Sequence, residues 1–354
     1  MKNLFPSFLI ACLAFVSMLS ACKTDLDVNA PYKNVTIVYA LLDKDEDTSW
    51  IKINKAFLGE GDAFQYAQIP DSNEYSDADL HAYVEELNPD GSVFDTLTLH
   101  SKLVDRDPGI FYGPQHKLYW FRGSDTTGSD AGHLNPNQKY RLKAVAKGTA
   151  IEAVTGLVQD ISIYAPVVNT NQKIQFATAP GTYTPYEIKW TTGAGGKRFD
   201  VSYTFYYYEA TSATDSVLKS YTNLIGTRTS TGIGGGEQSS VTLNGESFYQ
   251  AVRTNVLAQS NANVLHRNFV GIDILWAVAG PDLYTYLQLS NPISGIVEER
   301  PEYSNIQNGY GLFSSRLFDK VSDHPVSGNP LYKQLNNTSL AELKDGQYTN
   351  DLGF

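Results

Sequence analysis

The side chains able to do chemistry are present in this sequence, but they do not fall into the spacings that chemistry requires. Asp43-Lys44-Asp45-Glu46-Asp47 places acids at alternate positions, as a calcium loop does. An EF-hand loop would need Gly where Thr48 stands and a bidentate Glu where Asn54 stands, so the segment reads as a solvated hairpin. The six histidines form no His-Glu-x-x-His and no pair at helical spacing. Gly193-Ala194-Gly195-Gly196-Lys197-Arg198 ends like a phosphate loop, yet Thr191 replaces its first Gly and Arg198 its hydroxyl, which leaves a hairpin turn. No Gly-x-Ser-x-Gly elbow occurs. Glu85 and Glu86 fall on opposite faces of a strand, where they do not form a catalytic pair. No catalytic residue, metal site or cofactor is therefore expected.

Aromatic residues carry the positive signal, since Phe, Trp and Tyr make up 12% of the chain and 23 of them are Tyr. Phe199, Val201, Tyr203, Phe205 and Tyr207 alternate with Asp200, Ser202, Thr204, Tyr206 and Tyr208, so one face belongs in a core and the other meets solvent or a partner. Tyr119 and Phe121 alternate in the same way with Leu118 and Trp120. Exposed rings stack on sugars and peptides at little entropic cost, which makes Tyr206, Tyr208, Tyr119 and Phe121 the candidate contacts. The competing reading is that these rings cover a second layer or an interface.

Compartment follows from the N-terminus. A single Lys, an apolar run from Leu4 to Leu19 and small residues before Cys22 make a secretory signal over 1–21. Leu19-Ser20-Ala21-Cys22 resembles the bacterial lipobox, which implies cleavage before Cys22 and acylation of its thiol. Cys12 is lost with the leader, so no disulfide is available and the body must hold together by its core. Residues 22–33 read as a polar tether, and Lys23 after the acylated residue, by resemblance to lipoprotein sorting signals, implies that the protein is not retained at the inner membrane. The several acyl chains of such an anchor hold a protein at a membrane where one chain would not. The net charge of −11 opposes nucleic-acid binding.

The elements that would position any site are strands. Runs at 34–42, 49–58, 80–87, 93–104, 117–122, 139–146 and 151–158 alternate apolar and polar residues between turn formers such as Asn88-Pro89-Asp90-Gly91. Seven short strands without a long amphipathic helix predict an immunoglobulin-like β-sandwich over 34–163. The Pro- and Asn-rich stretch 164–185 predicts a linker, and 186–354 a β-rich domain with a few docked helices. Those helices are expected after Asn244, with Phe248, Ala251, Val252 and Val256 on one face, from Pro281 with Leu283, Tyr286 and Leu287 inward, and from the capping-box pattern Ser339-Leu340-Ala341-Glu342.

Asp107-Pro108-Gly109-Ile110-Phe111-Tyr112, Leu134-Asn135-Pro136 with Tyr140-Arg141-Leu142, Leu283-Tyr284-Thr285-Tyr286-Leu287 and Ser304-Asn305-Ile306-Gln307-Asn308-Gly309-Tyr310-Gly311-Leu312-Phe313 together resemble a Bacteroidota outer-membrane lipoprotein family of unknown function. The resemblance spans most of the mature chain, although the first strand, Val38-Tyr39-Ala40-Leu41, lacks the family's Glu-Gly pair. It implies an outer-membrane lipoprotein facing the surface or the periplasm, often beside a TonB-dependent receptor that would be its partner. The resulting expectation is a non-catalytic binding or assembly role, with a glycan-directed hydrolase and an adhesion or structural module as alternatives. Gly309 and Gly311, flanking Tyr310 at the start of a strand, predict a close backbone crossing there.

Overall fold

The computed structural model describes residues 35–56, 63–111, 113–124, 131–166, 172–290, 302–321 and 332–354. Cys22, the leader and the whole tether lie outside them. The described chain is mainly β. Its first strands are β1 (Val35–Leu42), β2 (Ser49–Ala56), β3 (Leu80–Leu87), β4 (Val93–Thr98), β5 (His100–Asp105), β6 (Gln115–Phe121), β7 (Lys139–Ala146) and β8 (Thr149–Gly156). There follow β9 (Ser162–Ala165), β10 (Ala177–Ala179), β11 (Thr182–Tyr183), β12 (Tyr186–Thr191), β13 (Arg198–Ala210), β14 (Ser216–Thr229), β15 (Gln238–Leu243), β16 (His266–Ala279) and β17 (Tyr310–Val321).

One sheet runs through the molecule in the order β14-β13-β16-β17-β1-β2-β6-β5. Its β1–β2–β6–β5 end faces the sheet β4-β3-β7-β8 across a core of Val38, Leu42, Ile51, Ile53, Val84, Phe121, Tyr140 and Leu142. Its other end faces β15-β12-β9 and the helix Gly245–Ala258 across a more aromatic core, with Trp190, Phe199, Tyr203, Phe205, Tyr207, Phe248 and Trp276 all fully buried. Burying each such ring contributes about 1.5–3 kcal/mol, so this end carries the larger hydrophobic term per residue.

The two ends are spliced by β17. Tyr310 to Ser315 pair in parallel with Ile37 to Leu42 of β1, and Arg316 to Val321 pair antiparallel with β16. Phe313 accordingly lies in the first core, while Leu317 and Val321 lie in the second. The expected close crossing is found at Gly311, where φ is +114° and a Cβ would sit 1.9 Å from the Val38 carbonyl oxygen. Only Gly tolerates both conditions. The neighbouring asparagines reach to other segments. Asn305 brackets Phe313, accepting from its amide at 2.9 Å and donating to its carbonyl at 2.8 Å, and Asn308 donates to Ala150 of β8 at 3.0 Å.

The structure corrects several expected boundaries. The described part of 164–185 is no linker: β9 pairs with β12, and Ile174, Phe176 and Ala177 are buried in the second core. The first unit is not confined to 34–163, because β17 supplies it with a strand. The single strand expected over 93–104 breaks at Leu99 into β4, which pairs with β3, and β5, which pairs with β6 in the other sheet. Gly193 to Lys197 does not close a hairpin but crosses between sheets, from β12 to β13.

Helices follow the same pattern of agreement and correction. Gly245–Ala258 buries Phe248, Tyr249, Val252 and Val256, and the Asn244 side chain accepts from the Glu246 and Ser247 amides at its start. Pro281–Ser290 forms where Pro can occupy a first turn, yet Leu283, Tyr286 and Leu287 are only half-buried. The last helix, Asn337–Asp345, is capped by Asn336 rather than Ser339. Ser339 Oγ instead accepts from the Phe176 and Ala177 amides, and Glu342 accepts from the Gly181 amide and the Tyr183 hydroxyl.

Candidate functional site

The site is built on the outer face of β1, β2, β6 and β5. Along β2, Ser49, Ile51 and Ile53 turn into the core, so Trp50, Lys52 and Asn54 turn outward. Along β6 the inward residues are Tyr119, 7% exposed, and Phe121, 0% exposed. This corrects the sequence expectation for both residues, which are core and not contacts. Strand periodicity then puts Leu118 and Trp120 outside, because a shift of one residue exchanges the faces.

Register aligns the outward rings. Trp50 pairs with Trp120, and Trp120 with His100, in a row across three adjacent strands. At about 4.8 Å between strands, the row repeats once per strand. The Trp120 and His100 ring centroids are 4.6 Å apart and tilted by 31°. Tyr39 stands on β1 opposite Lys52, and its ring meets the edge of Tyr286 at 6.4 Å. Tyr39 and Trp50 are 45% and 40% exposed, unusually open for such large rings.

Cations are interleaved with these rings. Lys102 Nζ stands 5.9 Å from the Trp50 ring centroid, and Arg106 lies 5.0 Å over Phe111. Lys52 sits in the middle of the face. Its pKa is lowered, first by burial and then by the nearby Arg106 charge, with Glu74 opposing. His116, also on this face, is lowered by burial and then by Lys52 and Arg106. Lys52 and His116 thus both sense burial and neighbouring positive charge.

Two clefts flank Tyr39. One, of about 460 Å³, runs between Tyr39, Trp50, Tyr286 and Arg316, with Asp43 and Glu46 at its border. The other, of about 390 Å³, is lined by Tyr39, Lys52, Asn54, Glu74, Arg106 and Phe111. The helix Pro281–Ser290 walls the first cleft, held by the Leu283 amide donating to Ser314 Oγ at 3.1 Å.

The other predicted contacts lie on β13, five positions along the sheet from β6. Tyr206 is half-buried, its ring stacked on Tyr332 at 4.3 Å and its hydroxyl donating to Asp273 at 3.3 Å. Burial, then the Asp273 charge, push its phenol up to about 12. Tyr208 is 41% exposed at the far end of the strand. The four predicted rings are therefore not brought together. Trp50, Trp120 and Tyr39, which were not among them, are the ones the sheet assembles, and the signal for Trp120 was already in the alternation of β6.

Carboxylates elsewhere are tied up structurally. Glu85 takes the Arg141 guanidinium at 2.6 Å, and Glu86, fully buried, accepts from the Tyr140 hydroxyl at 3.1 Å. In the Asp43–Asp47 turn, Asp43 accepts from the Asp45 amide and Lys44 bridges Asp45 and Asp160. Among the described residues no group of three or more His, Cys, Asp or Glu is placed to hold a metal. No described helix is long and apolar enough to cross a membrane.

No protein family matches this chain, and no curated protein does. Among solved structures, the C-terminal globular domain of an oligosaccharyltransferase from Pyrococcus abyssi is similar at 12% identity and a TM-score of 0.26, over 74% of this chain. The match spans 53% of that structure's length.

Proposed function

We propose that this protein is a lipid-anchored, non-catalytic binding protein of the outer membrane, accessory to a TonB-dependent uptake system, that presents the ring-and-cation face of its N-terminal unit to a ligand or partner. Acylated Cys22 would tether it through residues 22–33. The observation that carries the binding reading is the row Trp50–Trp120–His100, exposed at Trp50 and His100 and half-buried at Trp120, on strands whose other face packs Ile51, Ile53, Tyr119 and Phe121 into the core. Rings on a rigid floor bind without an ordering cost.

We also propose that the N-terminal unit is immunoglobulin-like. Its facing sheets, β1-β2-β6-β5 and β4-β3-β7-β8, have the order A-B-E-D against C′-C-F-G. Tyr140, near the start of β7, takes the Asn135 amide on its hydroxyl at 2.7 Å, the geometry of a tyrosine corner.

Photo-crosslinking in intact cells tests the binding role. A crosslinker at position 120 should give specific adducts that one at the exposed, distant Leu218 does not. Identical adduct patterns from both positions, or none from position 120, would count against it. Cys22→Ser tests the anchor: the variant should stay unprocessed and leave the detergent-extractable lipoprotein fraction.

A further inference from the structure

We propose that the trough over β1, β2, β6 and β5 binds acidic polysaccharide, specifically a hexuronate-containing chain, with sugar rings on Trp50 and Trp120 and carboxylates on Lys52 and Lys102. This rests on the binding reading above and names its ligand class.

Three observations carry it. The first is the shape of the site: the clefts of about 460 and 390 Å³, which Trp50 and Lys52 respectively help to line, have the dimensions of sites for small molecules and short oligomers. A protein partner would need about 800 Å² of continuous contact from each side. The second is the arrangement of the rings. Trp50 and Trp120 stand in register on neighbouring strands, so an extended chain that crosses the strands meets one indole per strand.

The third is charge. The chain as a whole is strongly acidic at −11, yet Lys52 and Lys102 stand on this face without an ion pair among the described residues. A uronate offers an apolar ring face and one carboxylate per residue, which matches indole and ammonium placed side by side. A polyphosphate is a poorer match, because its affinity comes from many cations acting together and the acidic remainder of this protein repels it. Glu74, Asp43 and Glu46 at the borders would confine the anionic chain to the floor between them.

The test titrates the mature chain with oligogalacturonate and with oligomannuronate, following Trp emission and heat. Methyl-esterified oligogalacturonate serves as the same chain without charge. At least one acid oligomer should bind, and for oligogalacturonate the acid should bind at least tenfold tighter than the ester. Trp120→Ala should weaken binding tenfold or more, while Lys52→Gln and Lys102→Gln should remove the preference for acid with unchanged melting temperature. Trp120→Phe should retain most of the affinity. Equal binding of acid and ester overturns the uronate proposal but leaves a sugar-binding face. No binding of any oligomer, with position 120 still crosslinking to a protein, overturns the proposal and leaves the binding reading intact. No binding and no adduct removes both.

Discussion

The two halves of the long sheet obey the same alternation but treat their outer faces in opposite ways. Over β13 and β16 the face is closed: Tyr332 reaches across Gly271 to stack on Tyr206, and Asp273 is 3% exposed beneath. A side chain at position 271 would meet Tyr332 at 2.1 Å, so the glycine is what allows that closure. Over β2 and β5 the corresponding rings, Trp50 and His100, stay open, with Trp120 half-buried between them. Whether an outward aromatic becomes packing or a binding surface is thus decided by what crosses the face, and not by the strand that bears it.

Four predictions break or sharpen this comparison. The largest effect should come from Gly311→Val, which brings a Cβ onto the Val38 carbonyl at positive φ and strikes the joint that both halves share. Positive-φ strain and overpacking together cost about 4 kcal/mol or more, so denaturant melts should show the whole molecule destabilised. A melt in which only one unit loosens would show that the halves are energetically separate.

Next is Arg267→Met on the closed half. Arg267 and Glu209 are 5% and 1% exposed, joined at 2.8 Å, and Glu209 also takes Lys219 and the Asn261 amide. Leaving that carboxylate without Arg267 should cost about 3–5 kcal/mol in urea unfolding. Burial raises the pKa of Glu209, but the hydrogen bonds from Lys219, Asn261 and Arg267 outweigh it and leave it below its ordinary 4.5. The ionised form is therefore preferred in the fold. Its stabilisation is present above pH 4.5 and is lost as pH falls through the lower, folded pKa. Glu209→Gln should flatten this part of the acid-unfolding curve, and an unchanged curve would contradict the assignment.

The third prediction compares single rings. Tyr206→Ala removes a stack of about 1 kcal/mol plus buried area, so about 2 kcal/mol of stability should go. The fourth is the smallest in stability: Trp120→Ala on the open half should cost about 1 kcal/mol or less. If Trp120→Ala destabilised as much as Tyr206→Ala, the open face would be a packing surface as well.

Much of the strand layout was legible because alternation is a local signal. β3 and β7 begin and end where the pattern does, and β17 begins at Tyr310 as expected. Three things were not legible. The break at Leu99 carries no Gly or Pro, so nothing local announces that β4 and β5 part into different sheets. β14 was hidden because, as an edge strand, it buries little besides Tyr221 and shows no clean period. The candidate site depended on parity and on pairing: alternation on β6 gave two sets of residues, and the core took Tyr119 and Phe121. That left Trp120 outside, and only the register with Trp50 made a row of it. The capping box at Ser339 misled for a related reason, since Asn336 three residues earlier offered the same chemistry and Ser339 was used to hold Phe176 and Ala177.

The shared strand sets the order in which the molecule can be built. β1 leaves the ribosome well before its parallel neighbour β17, about 270 residues further along the chain. Contact order at this seam is nearly as high as the chain permits, and such pairings form slowly. Until β17 arrives, β1 exposes an unpaired edge next to a sheet already rich in uncovered rings, the arrangement most prone to pairing with another chain. A chain released before Tyr310 has emerged would be left with that edge open, in an association-prone state.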